Sequence, residues 1–209
     1  LFAGLSSSTA LSLHFARQSA KNPDFSPQFA AGILIACGTM FPRILVYCLV
    51  INKALLPSLI WPVAMMTALL YVPALIIWRR NARQLQVSQP TMNQNPLDLS
   101  SALVFGFLLT AILLLGEFLK NAFGDVGIYA LAATSGVADV DAITLSLTRM
   151  SNDGLGMDAA VLGIVIAAAV NNLVKSGIAW SIGNRQTGLL VAGPMVLSLA
   201  AGLLVAWLQ

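Results

Sequence analysis

The sequence predicts an all-α fold, a polytopic helical membrane bundle of about six full spans preceded by a partial first span. Hydrophobic residues make up 58% of the 209 residues and charged residues 9%, whereas a soluble domain usually has about 25% charged residues. The mean hydropathy is +0.84. Each long apolar run is close to the roughly 20 residues that cross a hydrocarbon core about 30 Å thick. The runs cover residues 29–51, 55–78, 101–119, 127–148, 159–182 and 187–208.

The basic residues lie mostly at the edges of these runs, so the net charge of +3 does not indicate a nucleic-acid partner. If every run crosses the membrane once, six basic residues lie on one side and three on the other, and the richer side is expected to be cytoplasmic. The polar segment 80–99 is then a cytoplasmic linker. The six are Arg17, Lys21, Arg79, Arg80, Arg83 and Arg149, and the three are Lys53, Lys120 and Arg185.

An internal repeat divides the chain around this linker. Residues 4–17 read GLSSSTALSLHFAR and residues 136–149 read GVADVDAITLSLTR. Each residue of the first stretch is equivalent to the residue at the same place in the second. The constant difference between their residue numbers is called the repeat offset. Residues 1–79 form the first predicted repeat unit, with its first helix truncated and an upstream helix missing, and residues 100–209 form the second. Four crossings separate equivalent helices, so parallel repeats are expected. An inverted arrangement requires an odd number, as would arise if one run were re-entrant. Equivalent pairs include Arg17 with Arg149, Thr39 with Asn171, Arg43 with Lys175, and Pro62 with Pro194.

Polar residues lie at about the same depth in four predicted helices, which are the partial first span and the runs 29–51, 127–148 and 159–182. In the run 127–148, Gly136 and β-branched neighbours permit a local unwinding of the helix around two aspartates. Ionisable groups are costly inside a membrane and by default mark function. We therefore predict a binding site at the bilayer midplane between the two repeats. Its residues are Asp139, Asp141, Asn171, Asn172, Lys175, Thr39, Arg43, Ser7 and Thr9.

The residue types leave the ligand of this site open. Oxygen ligands from Asp and Asn suit a hard cation such as Mg²⁺ or Na⁺. Asp139 and Asp141 are therefore candidate metal ligands, with either ion as a transported or coupling ion, and no cofactor is expected. Arg43 and Lys175 suit an anion or a proton relay instead. The two cations can also simply pair with the two aspartates, which would make the cluster structural.

Two functions follow from this pattern. The leading hypothesis is an integral membrane transport domain for a small ion or solute. The alternative is a non-transporting regulatory or scaffold domain whose polar cluster holds helices together. The motifs HExxH, GxSxG, CxxC and the Walker A loop do not occur in the sequence, so an enzyme is not expected.

The segments AAGILIACGTMFPRILVYCLVINKALLP, SGVADVDAITLSL and AAAVNNLVKSG carry a resemblance to a known family. The chain resembles the uncharacterised membrane domain called domain of unknown function 4010, which is found C-terminal to MgtC/SapB-type membrane domains. The resemblance implies an upstream MgtC-like domain in the full-length protein and a bacterial or archaeal cytoplasmic membrane. It also implies a link to divalent-cation homeostasis, by analogy only. The expected partners are thus the lipid bilayer, that domain and further copies in a homo-oligomer.

Overall fold

The structure is a computed structural model that describes residues 8–81 and 99–208, and every regular element in these ranges is helical. The predicted site residue Ser7 and nearly all of the predicted linker lie outside the described residues. Short 3₁₀ helices at Pro23–Phe25 and Lys53–Leu55 precede two of the α-helices. The α-helices are α1 Ser8–Lys21, α2 Ser26–Gly38, α3 Met40–Ile51, α4 Leu56–Asn81, α5 Leu99–Ala138, α6 Val140–Met150, α7 Met157–Ile182 and α8 Arg185–Trp207.

Four helical stretches within the described residues are long and apolar enough to cross a membrane. They agree with four of the predicted runs. Two of them, α4 and α8, expose large apolar side chains, and the exposed fractions are 68% for Trp61 and 61% for Leu197. Such exposure is unfavourable in water but suits a lipid-facing surface. The four stretches are Pro23–Ile51, Lys53–Asn81, Met157–Ile182 and Arg185–Trp207.

The remaining two runs are organised differently, because α5 changes direction at Gly124. This residue has φ +59° and ψ −142°, a backbone conformation that glycine adopts without steric cost. The helical path then continues to Ala138 and stops. Asp139 has an extended backbone, with φ −155° and ψ 130°, and α6 begins at Val140. The expected unwinding around the aspartates is therefore confirmed.

Residues 125–150 form a helical hairpin with Asp139 at its tip. A Cβ atom at Gly163 of α7 would lie 2.8 Å from Leu147 Cδ1 and 3.7 Å from Ile128 Cγ2. A continuous helix would place Ile128 and Leu147 about 28 Å apart along its axis, so they cannot both contact one residue. The expectation that 127–148 crosses the membrane once is therefore wrong. An apolar run of this length is equally compatible with two short antiparallel arms.

The described residues form two compact units, and each combines segments of both predicted repeats. The first unit takes its residues from Leu1–Phe41, Met66–Pro96 and Asn172–Ser198, and its core includes Ile33 and Leu70. The second takes its residues from Pro42–Met65, Leu97–Asn171 and Leu199–Gln209, and its core includes Ile44 and Ile143. The repeat offset maps most of one unit's segments onto those of the other.

Candidate functional site

Asp139 caps the N-terminus of α6. Its Oδ1 accepts a hydrogen bond from the backbone N–H of Asp141 at 3.0 Å, and its Oδ2 accepts one from that of Ala142 at 3.4 Å. The first N–H groups of a helix have no partner within the helix, and lipid cannot supply one. A carboxylate at this end also lies favourably in the field of the helix dipole. The first role of Asp139 is thus to make the helix break stable.

Asp141 pairs with Arg43, a residue of the same compact unit. Arg43 Nη2 lies 2.9 Å from Asp141 Oδ2, and the side chains are only 23% and 16% exposed. A charge-assisted hydrogen bond of this length is among the stronger polar contacts in proteins. The pairing between an arginine and an aspartate that the sequence allowed as one alternative is therefore present on α3 and α6.

Asn171 binds the other side of the helix break. Its Nδ2 donates to the carbonyl of Gly136 at 2.8 Å, and the residue is 3% exposed. The last carbonyls of a helix lack partners within the helix, so this amide replaces one missing bond. A Cβ atom at Gly136 would lie only 2.5 Å from the Ala167 carbonyl oxygen. Glycine at 136 therefore lets α5 and α7 approach closely enough for Asn171 to reach the break.

Lys175 is buried in the other compact unit, with an exposed fraction of 1%. Its Nζ donates to Ser8 Oγ at 2.7 Å. Ser8 is the first residue of α1, and its carbonyl accepts a hydrogen bond from Ser12 Oγ at 2.7 Å. The sequence prediction included the two neighbours, Ser7 and Thr9, but not Ser8. In an SSST run, the sequence does not determine which hydroxyl faces a partner helix.

Three more predicted site residues belong to this unit. Asn172 is fully buried, and within residues 8–81 and 99–208 neither its Nδ2 nor its Oδ1 has a hydrogen-bond partner. Asn172 and Lys175 are three positions apart and share a face of α7. Thr39 donates to the Ala36 carbonyl at 2.7 Å, so its hydroxyl is satisfied locally. Thr9 is half-buried in the first turn of α1.

The predicted residues thus fall into two sets, one within each compact unit. Arg43, Asp139, Asp141 and Asn171 belong to one unit, and Thr9, Thr39, Asn172 and Lys175 belong to the other. The side-chain contacts join an arginine to an aspartate in one set and a lysine to a serine in the other.

Comparison with known proteins places the chain in a family. Residues 1–183 match the family described as Domain of unknown function (DUF4010). The chain belongs to the DUF4010 family. It is 35% identical over 187 residues to an uncharacterized protein of Aquifex aeolicus (strain VF5), and the match covers 89% of this chain and 81% of that protein. No solved structure matches the chain.

Protein groups contact the carboxylates of both predicted metal ligands in this DUF4010 chain. Asp139 accepts two backbone N–H bonds and Asp141 contacts a guanidinium. Among the described residues, no group of three or more His, Cys, Asp or Glu side chains lies close enough to hold a metal ion. A cation that bound Asp141 would therefore compete with Arg43.

The described part of this DUF4010 chain adds two polar features that the sequence prediction did not place in the site. Thr144, one turn after Asp141 on α6, is fully buried, and no hydrogen bond to its Oγ1 occurs among the described residues. The spacing of one helical turn between Asp141 and Thr144 is the sequence feature that could have placed Thr144 in the site. At the helix ends, Asn52 Nδ2 donates to Ser151 Oγ at 2.9 Å, and Asn184 Nδ2 donates to the Ser19 carbonyl at 3.1 Å.

Two cavities lie away from the predicted site residues. One of about 240 Å³ is lined by Ser58, Tyr129 and Asp158 together with apolar residues of α7 and α8. The other, of about 290 Å³, is lined by Glu117, Lys120 and Asp153 together with apolar residues. Both belong to the unit that contains Asp141.

Proposed function

We propose that this chain is a membrane transport domain for a small ion or solute. The observation that carries the proposal is the helical hairpin broken at Asp139 inside an apolar segment. Non-helical backbone at membrane depth is tolerated only where it is buried in protein or lines a water-filled cavity. Transporters commonly build their binding sites from such interrupted helices. A scaffold has no comparable need for a helix break that requires the polar side chains of Asp139 and Asn171 to stabilise it.

The predicted internal repeat is part of this proposal, because substrate sites of repeat-based transporters lie where the repeats meet. Helix boundaries support the repeat at the predicted offset. Lys53 and Arg185 each begin the helical element that follows an asparagine. Asn52 and Asn184 also have the same local role, since each side chain accepts a backbone N–H at the start of that element.

The substrate class in this proposal remains a small ion or solute. Asp141 and the amides suit Mg²⁺ or Na⁺ as a transported or coupling ion, and Arg43 would be the internal cation that such an ion displaces. The proposal extends to divalent-cation homeostasis, to an MgtC-like domain upstream, and to the cytoplasmic membrane of a bacterium or archaeon, each by family analogy.

The second candidate is a regulatory or scaffold domain, and the ion pair between Arg43 and Asp141 favours it. An ion pair between two helices stabilises their packing without any ligand. Polar contacts between membrane helices contribute about 0.6–2 kcal/mol each.

Flux measurements on the purified protein in vesicles distinguish the two functions. We expect the wild type to carry at least one ion of a panel containing Mg²⁺, Na⁺, K⁺ and small anions. Asp141→Asn should lower the initial rate about tenfold or more, which corresponds to about 1.4 kcal/mol. The matched control is Asp24→Asn, at an exposed residue of the Pro23–Phe25 helix, and its rate should equal that of the wild type.

Two results would contradict transport by this site. Folded wild-type protein that gives no flux above empty vesicles for every ion supports the scaffold function. Flux that is equal in Asp141→Asn and the wild type excludes Asp141 from the transport pathway.

A further inference from the structure

Two hydrogen bonds at the helix ends are related by the repeat offset. Asn52 Nδ2 donates to Ser151 Oγ at 2.9 Å, and Asn184 Nδ2 donates to the carbonyl of Ser19 at 3.1 Å. The two asparagines occupy equivalent positions of the repeats, and so do the two serines. The asparagine of each repeat therefore binds the serine of the other repeat. Two copies of a structure that are related by a two-fold axis make their contacts in such reciprocal pairs.

The surroundings of these contacts agree in detail. Ser19 Oγ donates to the Ala16 carbonyl at 2.8 Å, and Ser151 Oγ donates to the Thr148 carbonyl at 2.6 Å. These are again equivalent positions. A separate contact joins two equivalent residues directly, because Ser198 Oγ donates to the Met66 carbonyl at 3.2 Å. Residues near a two-fold axis contact their own equivalents.

Helix lengths then determine the orientation of the repeats in the membrane. The stretches Pro23–Ile51 and Met157–Ile182 are each long and apolar enough to cross, so the two ends of each lie on opposite faces. Groups that hydrogen-bond at helix ends share one face. Asn52 therefore lies with Ser151 on one face, and Asn184 lies with Ser19 on the other.

We infer that the two repeats have inverted topology, with equivalent residues on opposite faces of the membrane. Parallel repeats would place Asn52 and Asn184 on the same face. The hairpin supplies the physical reason. Its arms, 125–138 and 140–150, are about 21 Å and 16 Å long, too short to cross a core of about 30 Å. Three crossings instead of four then separate α1 from α6, and the parallel arrangement expected from the sequence is replaced by an inverted one.

The basic residues agree with this topology. Inversion exchanges the faces of Arg149 and Arg185, and one face still carries six basic residues against three on the other. The face with the Asn184–Ser19 contact is the richer one and is therefore cytoplasmic. Inverted repeats are the basis of alternating access in many transporters, where one face closes as the other opens.

Cysteine labelling at equivalent exposed positions tests the inference without requiring transport. Lys53→Cys and Arg185→Cys are both exposed and differ by the repeat offset. The native Cys37 and Cys48 are buried, so the wild-type protein provides the unlabelled reference. In intact cells, a membrane-impermeant maleimide should label Lys53→Cys, whereas Arg185→Cys should react only after permeabilisation.

A second pair repeats the measurement on the neighbouring connections. Asp24→Cys should behave like Arg185→Cys, and Gly156→Cys should behave like Lys53→Cys. Labelling of Lys53→Cys and Arg185→Cys from the same side would overturn the inference. Because the readout is sidedness alone, inverted labelling combined with absent flux would contradict the transport function and leave the topology standing.

Discussion

Arg43 and Lys175, which occupy equivalent positions under the proposed repeat, have different partners. Arg43 contacts the carboxylate of Asp141 at 2.9 Å, whereas Lys175 donates to the hydroxyl of Ser8 at 2.7 Å. Arg43 contacts a residue of α6 and Lys175 contacts a residue of α1, but the Arg43 contact is an ion pair, whereas the Lys175 contact joins a charge to a hydroxyl. Under the proposed repeat, the two cations therefore bind equivalent helices and differ in the charge of the group that they contact.

The largest expected effect is the loss of the ion pair. Asp141→Ala leaves the Arg43 guanidinium without its carboxylate in a mostly buried position, and breaking such a pair costs about 3 kcal/mol. Ser8→Ala removes one hydrogen bond to a charged group, worth about 1.5 kcal/mol or somewhat more. Thermal unfolding in detergent should therefore show a larger loss of stability for Asp141→Ala than for Ser8→Ala.

The double variant Arg43→Met/Asp141→Leu is the control for this comparison. Replacing both partners of a buried ion pair with apolar residues is often neutral or stabilising, so the double variant should recover most of the loss. Equal destabilisation by Asp141→Ala and Ser8→Ala would show that the ion pair adds nothing beyond a single hydrogen bond.

The next effect concerns the packing that holds the hairpin tip of the second repeat. In Gly136→Ala the added methyl group would lie 2.5 Å from the Ala167 carbonyl oxygen. Backbone cannot yield as a flexible side chain does, and overpacking of this kind costs about 1–3 kcal/mol. We expect a loss of about 2 kcal/mol, together with lower flux, because the hydrogen bond from Asn171 to the Gly136 carbonyl lengthens.

Gly177→Ala is the matched control on α7, since among the described residues no atom from beyond this stretch of helix lies within 4 Å of a Cβ at that position. Alanine is favoured over glycine within a helix by about 1 kcal/mol, so this variant should be as stable as the wild type or more stable. If both substitutions gave the same change in melting temperature, the close approach of α5 and α7 at Gly136 would be disproved.

Composition and run length were sufficient to predict the helical class and the four helical stretches that are long and apolar enough to cross a membrane. They were not sufficient to predict the hairpin, because the apolar run 127–148 satisfies the length of one span and also that of two short arms. Gly136 and its β-branched neighbours indicated a break near Asp139, but the reversal of direction depends on tertiary contacts of Gly163 with Ile128 and Leu147.

The candidate site was predicted in part for a similar reason. Charge balance suggested an arginine–aspartate pair, and the structure contains one between Arg43 and Asp141. Ser8 was not selected, because its neighbours in the SSST run have the same chemistry and only the packing of α1 distinguishes them. The capping role of Asp139 also depends on its extended backbone conformation, which the sequence suggests but does not specify.

The smallest expected effect tests whether the Asn52 contact and the Asn184 contact are equivalent. Asn52→Ala removes a bond to Ser151 Oγ and the cap on the Ala54 N–H, and loss of a cap costs about 1 kcal/mol. Asn184→Ala removes the bonds to the Ser19 carbonyl and Ser26 Oγ as well as the cap on Thr187. Since each hydrogen bond contributes about 1 kcal/mol, both substitutions should lower the stability of the protein, and Asn184→Ala should lower it more.

Asn22→Ala, at an exposed loop residue, is the control and should be close to neutral. If Asn52→Ala destabilised the protein and Asn184→Ala did not, the two asparagine contacts would not be equivalent. The proposed repeats would then differ in these hydrogen bonds as well as in the partners of Arg43 and Lys175.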